Sequence, residues 1–364
     1  MNYKLQFPTY FFYASVLAIV LLLTESCAVH HDLYRDTNHI LTNDTNENYV
    51  SFFQLGNAGA YARGANESLL NDVGNYIKKH SKKEDYFLFT GDNLHRNDLK
   101  DSRSKKQLLQ QLEITKNFKG TALFLPGELE WNETGLKGME EIEDAIEDFY
   151  DEENHFMPKN GCPLETIEVN DEVELILINS QWYIEDWSKV KEMNDKCELK
   201  TREQFTTLLS SEIRKARHKT IIIGMHHPLY ANGVYGGEIP AEVTYRPTAE
   251  NLFIPGVGTF WSFLRSQGGL SKQDRYNPLM NELMSHIELA SFDAPRVIIL
   301  SSHERSMQYI DQGEIKQVIA GTGSSVKPAR LSKKGLFTST KPGFSEVRLY
   351  EGGASSVHFY GLQD

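Results

Sequence analysis

Cysteine is scarce in this chain of 364 residues, with only Cys27, Cys162 and Cys197. That excludes a small disulfide-dense scaffold and a cysteine-rich metal knuckle. Basic residues are in deficit, 38 Lys and Arg against 50 Asp and Glu, for a net charge of -12. A surface that neutralises nucleic acid or anionic lipid needs clustered cations, so neither is an expected partner. The apolar run at 11–23 falls short of the ~20 residues that span a bilayer, and no internal repeat is evident. What is present is ample material for a core: the chain is 40% hydrophobic, which suits one large domain of roughly 300 residues.

Lys4 followed by the run at 11–23 has the form of an export signal. The run ends in Leu23-Thr24-Glu25-Ser26-Cys27. A cysteine just past such a core, with a small residue before it, reads as a lipoprotein processing site, although Glu25 is unusual there. Residues 1–26 would be removed and Cys27 acylated; an ordinary secretory signal with an incidental cysteine is the plainer alternative. Several acyl chains, at ~0.8 kcal/mol per buried methylene, hold a protein on a membrane. Residues 27–48 are polar, include His30, His31 and His39, and lack apolar periodicity, which predicts a flexible tether rather than a metal tract. The domain proper then covers 49–364. An exported compartment is oxidising, so Cys162 and Cys197 are candidates for one disulfide, with two free buried thiols as the alternative.

Short β-rich runs at 50–55, 86–89, 122–125, 175–178, 220–224 and 297–300 end in Gly, Asn, Ser or Pro. Helix-like stretches at 69–80, 105–117 and 202–217 lie between them. This is an α/β pattern, and such folds place their chemistry on the loops that follow strand ends.

Those strand ends read, in order, Gly56-Asn57-Ala58-Gly59, Gly91-Asp92-Asn93, Pro126-Gly127-Glu128-Leu129-Glu130-Trp131, Gly224-Met225-His226-His227-Pro228 and Ser301-Ser302-His303-Glu304-Arg305. The series resembles the five blocks of the calcineurin-like metallophosphoesterases, close to the purple acid phosphatase pattern of GDxG, GDNxY, GNHD, GHHP and GHxH. The resemblance covers residues 49–362 and implies two packed β-sheets flanked by helices, an αββα architecture. Asn160-Gly161-Cys162-Pro163-Leu164-Glu165, Ser180-Gln181-Trp182-Tyr183 and Lys200-Thr201-Arg202-Glu203-Gln204-Phe205 resemble a Bacteroidota envelope group within that family. Some members of that group carry an outer-membrane β-barrel.

Family enzymes hold two metals bridged by a carboxylate and a hydroxide that attacks phosphorus. Carried over by position, the first metal would fall to Asn57, Asp92, His95 and Arg305. A guanidinium has no acceptor atom and stays protonated, so Arg305 cannot ligate, and the first site is expected to be lost. The second metal would fall to Asp92, Glu128, His226 and His303, every one of them able to bind zinc or manganese. Alternatively Arg305 reaches into the vacant first site and pairs with Asp92, and no metal binds.

The position of the family's transition-state histidine holds Leu129, which can neither donate a proton nor stabilise charge. Glu128 and Glu130 add negative charge where a phosphate would sit. Asn93 and His227 are expected to line the pocket, His227 equally as a buried structural imidazole. The acidic run 140–153, with Ile142, Ile146 and Phe149 at helical spacing, predicts a helix with a solvated outer face. Trp182, Tyr183 and Trp187 are expected in the core or its rim. Residues 231–277, with Tyr235, Tyr245, Phe253, Phe260 and Trp261, read as a partner-binding surface or, equally, as an ordinary insertion without a partner.

The resemblance and its departures together imply a non-catalytic interaction protein, lipid-anchored at the outer membrane, working with a β-barrel or its assembly machinery. A hydrolase with an altered mononuclear site is the alternative, and a phosphate-containing ligand held by Arg305 without hydrolysis is a third.

Overall fold

Several strands of this chain are apolar almost without interruption, and that dictates where they lie. In β3 (Tyr86–Phe89), β6 (Val173–Ile178), β7 (Thr220–Met225) and β8 (Val297–Ser301) nearly every side chain is buried, as a strand covered on both faces requires. The computed structural model describes residues 33–34, 48–60, 67–132, 134–190, 192–233, 235–236, 271–327, 329, 331 and 334–361. The expected signal peptide, Cys27, His30, His31, His39, Tyr245, Phe253, Phe260 and Trp261 lie outside the described residues.

Two sheets form. One has five strands in the order β13 (Ser355–Gly361), β12 (Gly343–Tyr350), β2 (Tyr49–Leu55), β3 and β4 (Thr121–Phe124). The other has eight, in the order β1 (Leu33–Tyr34), β11 (Gly335–Ser339), β9 (Met307–Asp311), β10 (Ile315–Ala320), β8, β7, β6 and β5 (Leu164–Asn170). Side chains alternate along a strand, so each central strand feeds two cores. Phe52, Leu88, Leu123, Leu175, Leu177, Ile222, Ile298 and Leu300 meet between the sheets. Phe53, Phe87, Phe89, Phe124, Ile176, Ile178, Ile221, Ile223 and Ile299 point outward into the layer beneath the helices.

Helices α1 (Glu67–His80) and α2 (Ser102–Thr115) pack together, as do α5 (Arg202–Lys215) and α6 (Pro278–Ser291). Their starts are specified locally: the side chains of Asp101, Thr201 and Asn277 accept the N–H of Ser104, Gln204 and Leu279, satisfying donors a helix start leaves open. The acidic run becomes α3 (Gly135–Tyr150), which buries Ile142 and Ile146, exposes Asp144 and Asp148, and leaves Glu140, Glu141, Glu143 and Glu147 half-buried. Trp182 and Tyr183, in the short α4 (Ser180–Ile184), are fully in the core. The αββα expectation therefore holds, with strand limits shifted by a residue or two. Strands β5 and β9 to β12 were not foreseen. Among the described residues no helix is long and apolar enough to cross a membrane.

One expectation needs correction. The tether is not free along its whole length, because Leu33 and Tyr34 pair antiparallel with Thr338 and Phe337 at the edge of the larger sheet. A sheet edge offers unpaired N–H and C=O groups that a passing segment can satisfy.

Cys162 and Cys197 form a disulfide across a separation of 35 residues. Just before it, the backbone N–H of Asn160 donates to both carboxylate oxygens of Glu143, at 3.2 and 2.9 Å. Burial pushes the Glu143 pKa up to about 7, with Glu147 and Asp144 adding to the shift and the Asn160 bond opposing it. A carboxyl raised in the folded state binds a proton that the unfolded chain has released, so its contribution is present at low pH and lost as pH rises from about 4.5 through about 7. Two outcomes are expected in denaturant unfolding. Replacing both cysteines by serine lowers stability by about 4 kcal/mol, from the loop length alone. Glu143→Gln removes the part of the stability decline that wild type shows across that pH window.

Candidate metal centre

Because the strand interiors are committed to the two cores, polar groups collect where the parallel strands end. β2 delivers Asn57, β3 delivers Asp92, β7 delivers His226 and His227, and β8 delivers His303. Asn57, Asp92 and His303 adopt positive φ of 55, 56 and 49°. Left-handed non-glycine residues cost free energy and gather at functional sites. The chain approaches itself closely here. At Gly91, φ is 89°, and a Cβ would lie 2.6 Å from His226 Nδ1 and 2.7 Å from the Gly127 backbone, so only glycine fits.

Glu130 holds the loops together. Its fully buried carboxylate accepts the backbone N–H groups of Gly127 at 2.6 Å, Asn93 at 2.7 Å, Asp92 at 3.0 Å and Leu94 at 3.3 Å. Burial and the adjacent Asp92 push its pKa up, and these N–H bonds oppose the shift. The expectation that Glu130 adds negative charge to a phosphate site is thereby corrected: it is turned inward as a clasp between the loops after β3 and β4. Only Glu128, half-buried, remains at the mouth, where burial and Asp92 raise its pKa while His226, Arg305 and Lys327 lower it.

His226, His227 and His303 form a tight buried cluster whose ligand atoms all lie within 4.8 Å of one another. His226 Nδ1 sits 2.8 Å from the Thr90 carbonyl and 3.0 Å from Ser302 Oγ. A carbonyl only accepts, so Nδ1 carries the proton and Nε2 presents its lone pair. That Nε2 is 3.2 Å from His303 Nδ1 and 3.5 Å from Asp92 Oδ1. His227 Nδ1 is 2.8 Å from Ser180 Oγ, while His227 Nε2 and His303 Nε2 are buried without a hydrogen-bond partner. Burial drives the pKa of His227 and His303 well below the ordinary imidazole value; His226 adds to the shift at both, and His227, Lys327 and Arg305 add to it at His303. Neutral, unpartnered imidazole nitrogens beside a carboxylate fit a divalent cation.

The other positions carried over by resemblance are less convergent. Asn57 donates its Nδ2 to the Gly321 carbonyl at 2.9 Å and leaves Oδ1 buried without a hydrogen-bond partner. His95 is half-buried, its backbone N–H held by Gln107. Asn93 is tied to the Leu125 carbonyl. Leu129 is half-buried, and its backbone N–H donates to Asp92 Oδ1 at 3.0 Å. Arg305, half-buried, contributes positive charge felt by Glu128, Tyr235 and Lys327.

His227 was expected only as a pocket residue and proves a full member of the cluster. The signal for it was the histidine doublet itself. Past the end of β7 the backbone no longer alternates, so consecutive side chains can reach one cleft. Tyr235 was expected on an exposed partner surface; instead its ring lies 4.1 Å from that of His303, and the backbone N–H groups of Tyr235 and Gly236 donate to Glu304 at 2.7 and 3.1 Å.

A family model for calcineurin-like phosphoesterases matches residues 38–257. No curated protein matches by sequence. Among solved structures the chain is similar to GAP50, the anchor in the inner membrane complex of Plasmodium, at 17% identity and a TM-score of 0.57 over 86% of this chain and 85% of that one. It is also similar to the purple acid phosphatase PPD1 from yellow lupin (Lupinus luteus) seeds, at 12% identity and a TM-score of 0.50 over 87% of this chain and 52% of that one. Likeness at these identities is one of fold. The clasp is directly testable: in Glu130→Gln an amide N–H faces backbone donors, and urea unfolding is expected to show a loss of roughly 2–4 kcal/mol.

Proposed function

Within the calcineurin-like phosphoesterase family, to which the chain belongs, we propose a member that has given up hydrolysis and acts by binding. The observation that carries this reading is Leu129. Where the family pattern has the imidazole that serves the transition state, this chain offers an aliphatic side chain and only a backbone N–H, already bonded to Asp92. Loss of one such group costs on the order of 10²–10³ in rate. Asn57 and Arg305 compound the loss, since neither supplies the anionic or imidazole donor that a first metal needs. When bound, a single cation at the histidine cluster supplies positive charge, without the second metal that family enzymes use to activate a bridging hydroxide.

The finer reading is an outer-membrane lipoprotein held by acylated Cys27, serving as an interaction component beside a β-barrel or its assembly machinery. Its support is the export-signal pattern ending in Cys27 and the resemblance of the loop motifs to the Bacteroidota envelope group. That one structure of this fold is described as an anchor and another as a phosphatase is consistent with a fold that serves both roles. The histidine cluster favours one competing reading, a hydrolase with an altered mononuclear centre.

Phosphomonoester and phosphodiester assays with added zinc, manganese or iron separate the two. No turnover above that of His226→Ala is expected, and robust metal-dependent turnover abolished by His226→Ala would sink the binding role. Palmitate labelling of the expressed protein, lost in Cys27→Ser, is the expected sign of the anchor. Affinity purification from membranes is expected to bring down a stoichiometric barrel protein.

A further inference from the structure

We propose that Tyr235 is an autoinhibitory plug, its ring closing the cleft over His227 and His303 in the free protein and swinging out before a solute can reach either imidazole. Such a plug operates whether or not the cleft hydrolyses anything, and it adds a control on access to the binding role above.

The ring is seated in the cleft rather than beside it. Its centroid lies 4.1 Å from that of His303, at an interplanar angle of 56°, and Lys327 Nζ stands 5.4 Å from the same centroid. Burial, with Glu304, Glu128 and Asp92 adding and Arg305 opposing, pushes the Tyr235 pKa up to about 12. The phenol is therefore neutral, and its hydroxyl lies among the charged groups of the mouth. The space left beside it, bounded by His227, Arg275, Met280 and His303, is about 10 Å³, room for one water and no larger solute.

What holds the ring there is the backbone that carries it. Three buried side chains accept N–H groups along this loop: Gln317 from Leu229 at 2.9 Å, Gln308 from Asn232 at 2.7 Å, and Glu304 from Tyr235 at 2.7 Å and Gly236 at 3.1 Å. Tyr183 and Tyr230 anchor through their own hydroxyls instead, donating to Glu282 at 3.0 Å and Glu288 at 2.5 Å. Closure carries a cost. His227 and His303 are only 1% and 5% exposed, and His227 Nε2, His303 Nε2 and Arg275 Nη1 are buried without hydrogen-bond partners. Sealing unpaired polar atoms from water is unfavourable, and swinging the ring out rehydrates the two imidazoles. Ring packing and the cation above it, with the loop bonds, are thus set against unsatisfied atoms beneath. A balance of this kind gives a closed state with an accessible open one, where an ordinary core aromatic has only the first.

Carbethoxylation of the full-length protein by diethyl pyrocarbonate, mapped by peptide mass spectrometry, reads access to neutral imidazole nitrogens. With an open state populated at about 0.1–10%, Tyr235→Ala is expected to raise the modification rate at His227 and His303 by about 10-fold or more. Tyr235→Phe, which keeps the ring, is expected to stay near wild type, and half-buried His286 in α6 to react at the same rate in all three proteins. Should Tyr235→Ala fail to fold, hydrogen exchange of wild type decides: the Tyr235 and Gly236 amides are expected to exchange by local opening, ahead of those of Ile222 and Ile223 in β7. Unchanged rates at both histidines in a folded Tyr235→Ala, or exchange at Tyr235 and Gly236 no faster than in β7, overturns the plug. Phosphoester turnover that appears only in Tyr235→Ala overturns the non-hydrolytic reading and leaves the plug standing.

Discussion

Two-sided burial of the central strands is the constraint from which the rest follows. With one face of β3, β6, β7 and β8 packed between sheets and the other beneath helices, nearly every strand position must be apolar, and an unpaired polar group there would cost about 1–3 kcal/mol. Polar residues are therefore forced to the points where the parallel strands stop. The same constraint that builds the core concentrates the histidines and carboxylates in one crevice, where open α/β sheets bind their ligands.

Concentrating such groups creates a second problem, which is holding them. Loops that leave three strands at left-handed residues store strain, and neighbouring carboxylates repel. The chain answers with fixed backbone partners: Glu130 gathers four N–H groups from two loops, Thr90 O orients His226, and Ser180 orients His227. The clasp does not depend on the reacting groups. The framework built by Glu130, Thr90 and Ser180 thus stands whichever side chains occupy positions 129 and 305.

How much of this was legible in the sequence varied with the physics of each element. Runs such as Ile221-Ile222-Ile223 announce a strand, and Gly91-Asp92-Asn93 marks a strand end, so an α/β fold and its strand-end loops could be read directly, while the αββα layering came with the family resemblance. Strands β9 and β11 could not, because antiparallel strands such as Met307-Gln308-Tyr309-Ile310-Asp311 mix polar with apolar residues and lack the continuous pattern. Glu130 was misjudged because a carboxylate in a motif reads as charge, whereas its direction, inward to backbone donors, is set by a loop conformation no spacing encodes. His227 was undervalued for the same reason: which way a side chain points beyond a strand end is decided by the turn.

The pairing of Leu33 and Tyr34 with the edge of the larger sheet has a mechanical meaning. Leu33 lies six Cα steps beyond Cys27, and a fully extended residue spans at most about 3.5 Å. A lipid at Cys27 would thus sit on a leash of no more than roughly 20 Å, fastened not to the end of a loose arm but to the flank of the folded body. A long tether grants only proximity to a membrane. A short one clipped to a sheet edge restricts swivel as well, so that attachment would also select which side of the domain a neighbour in the same bilayer meets.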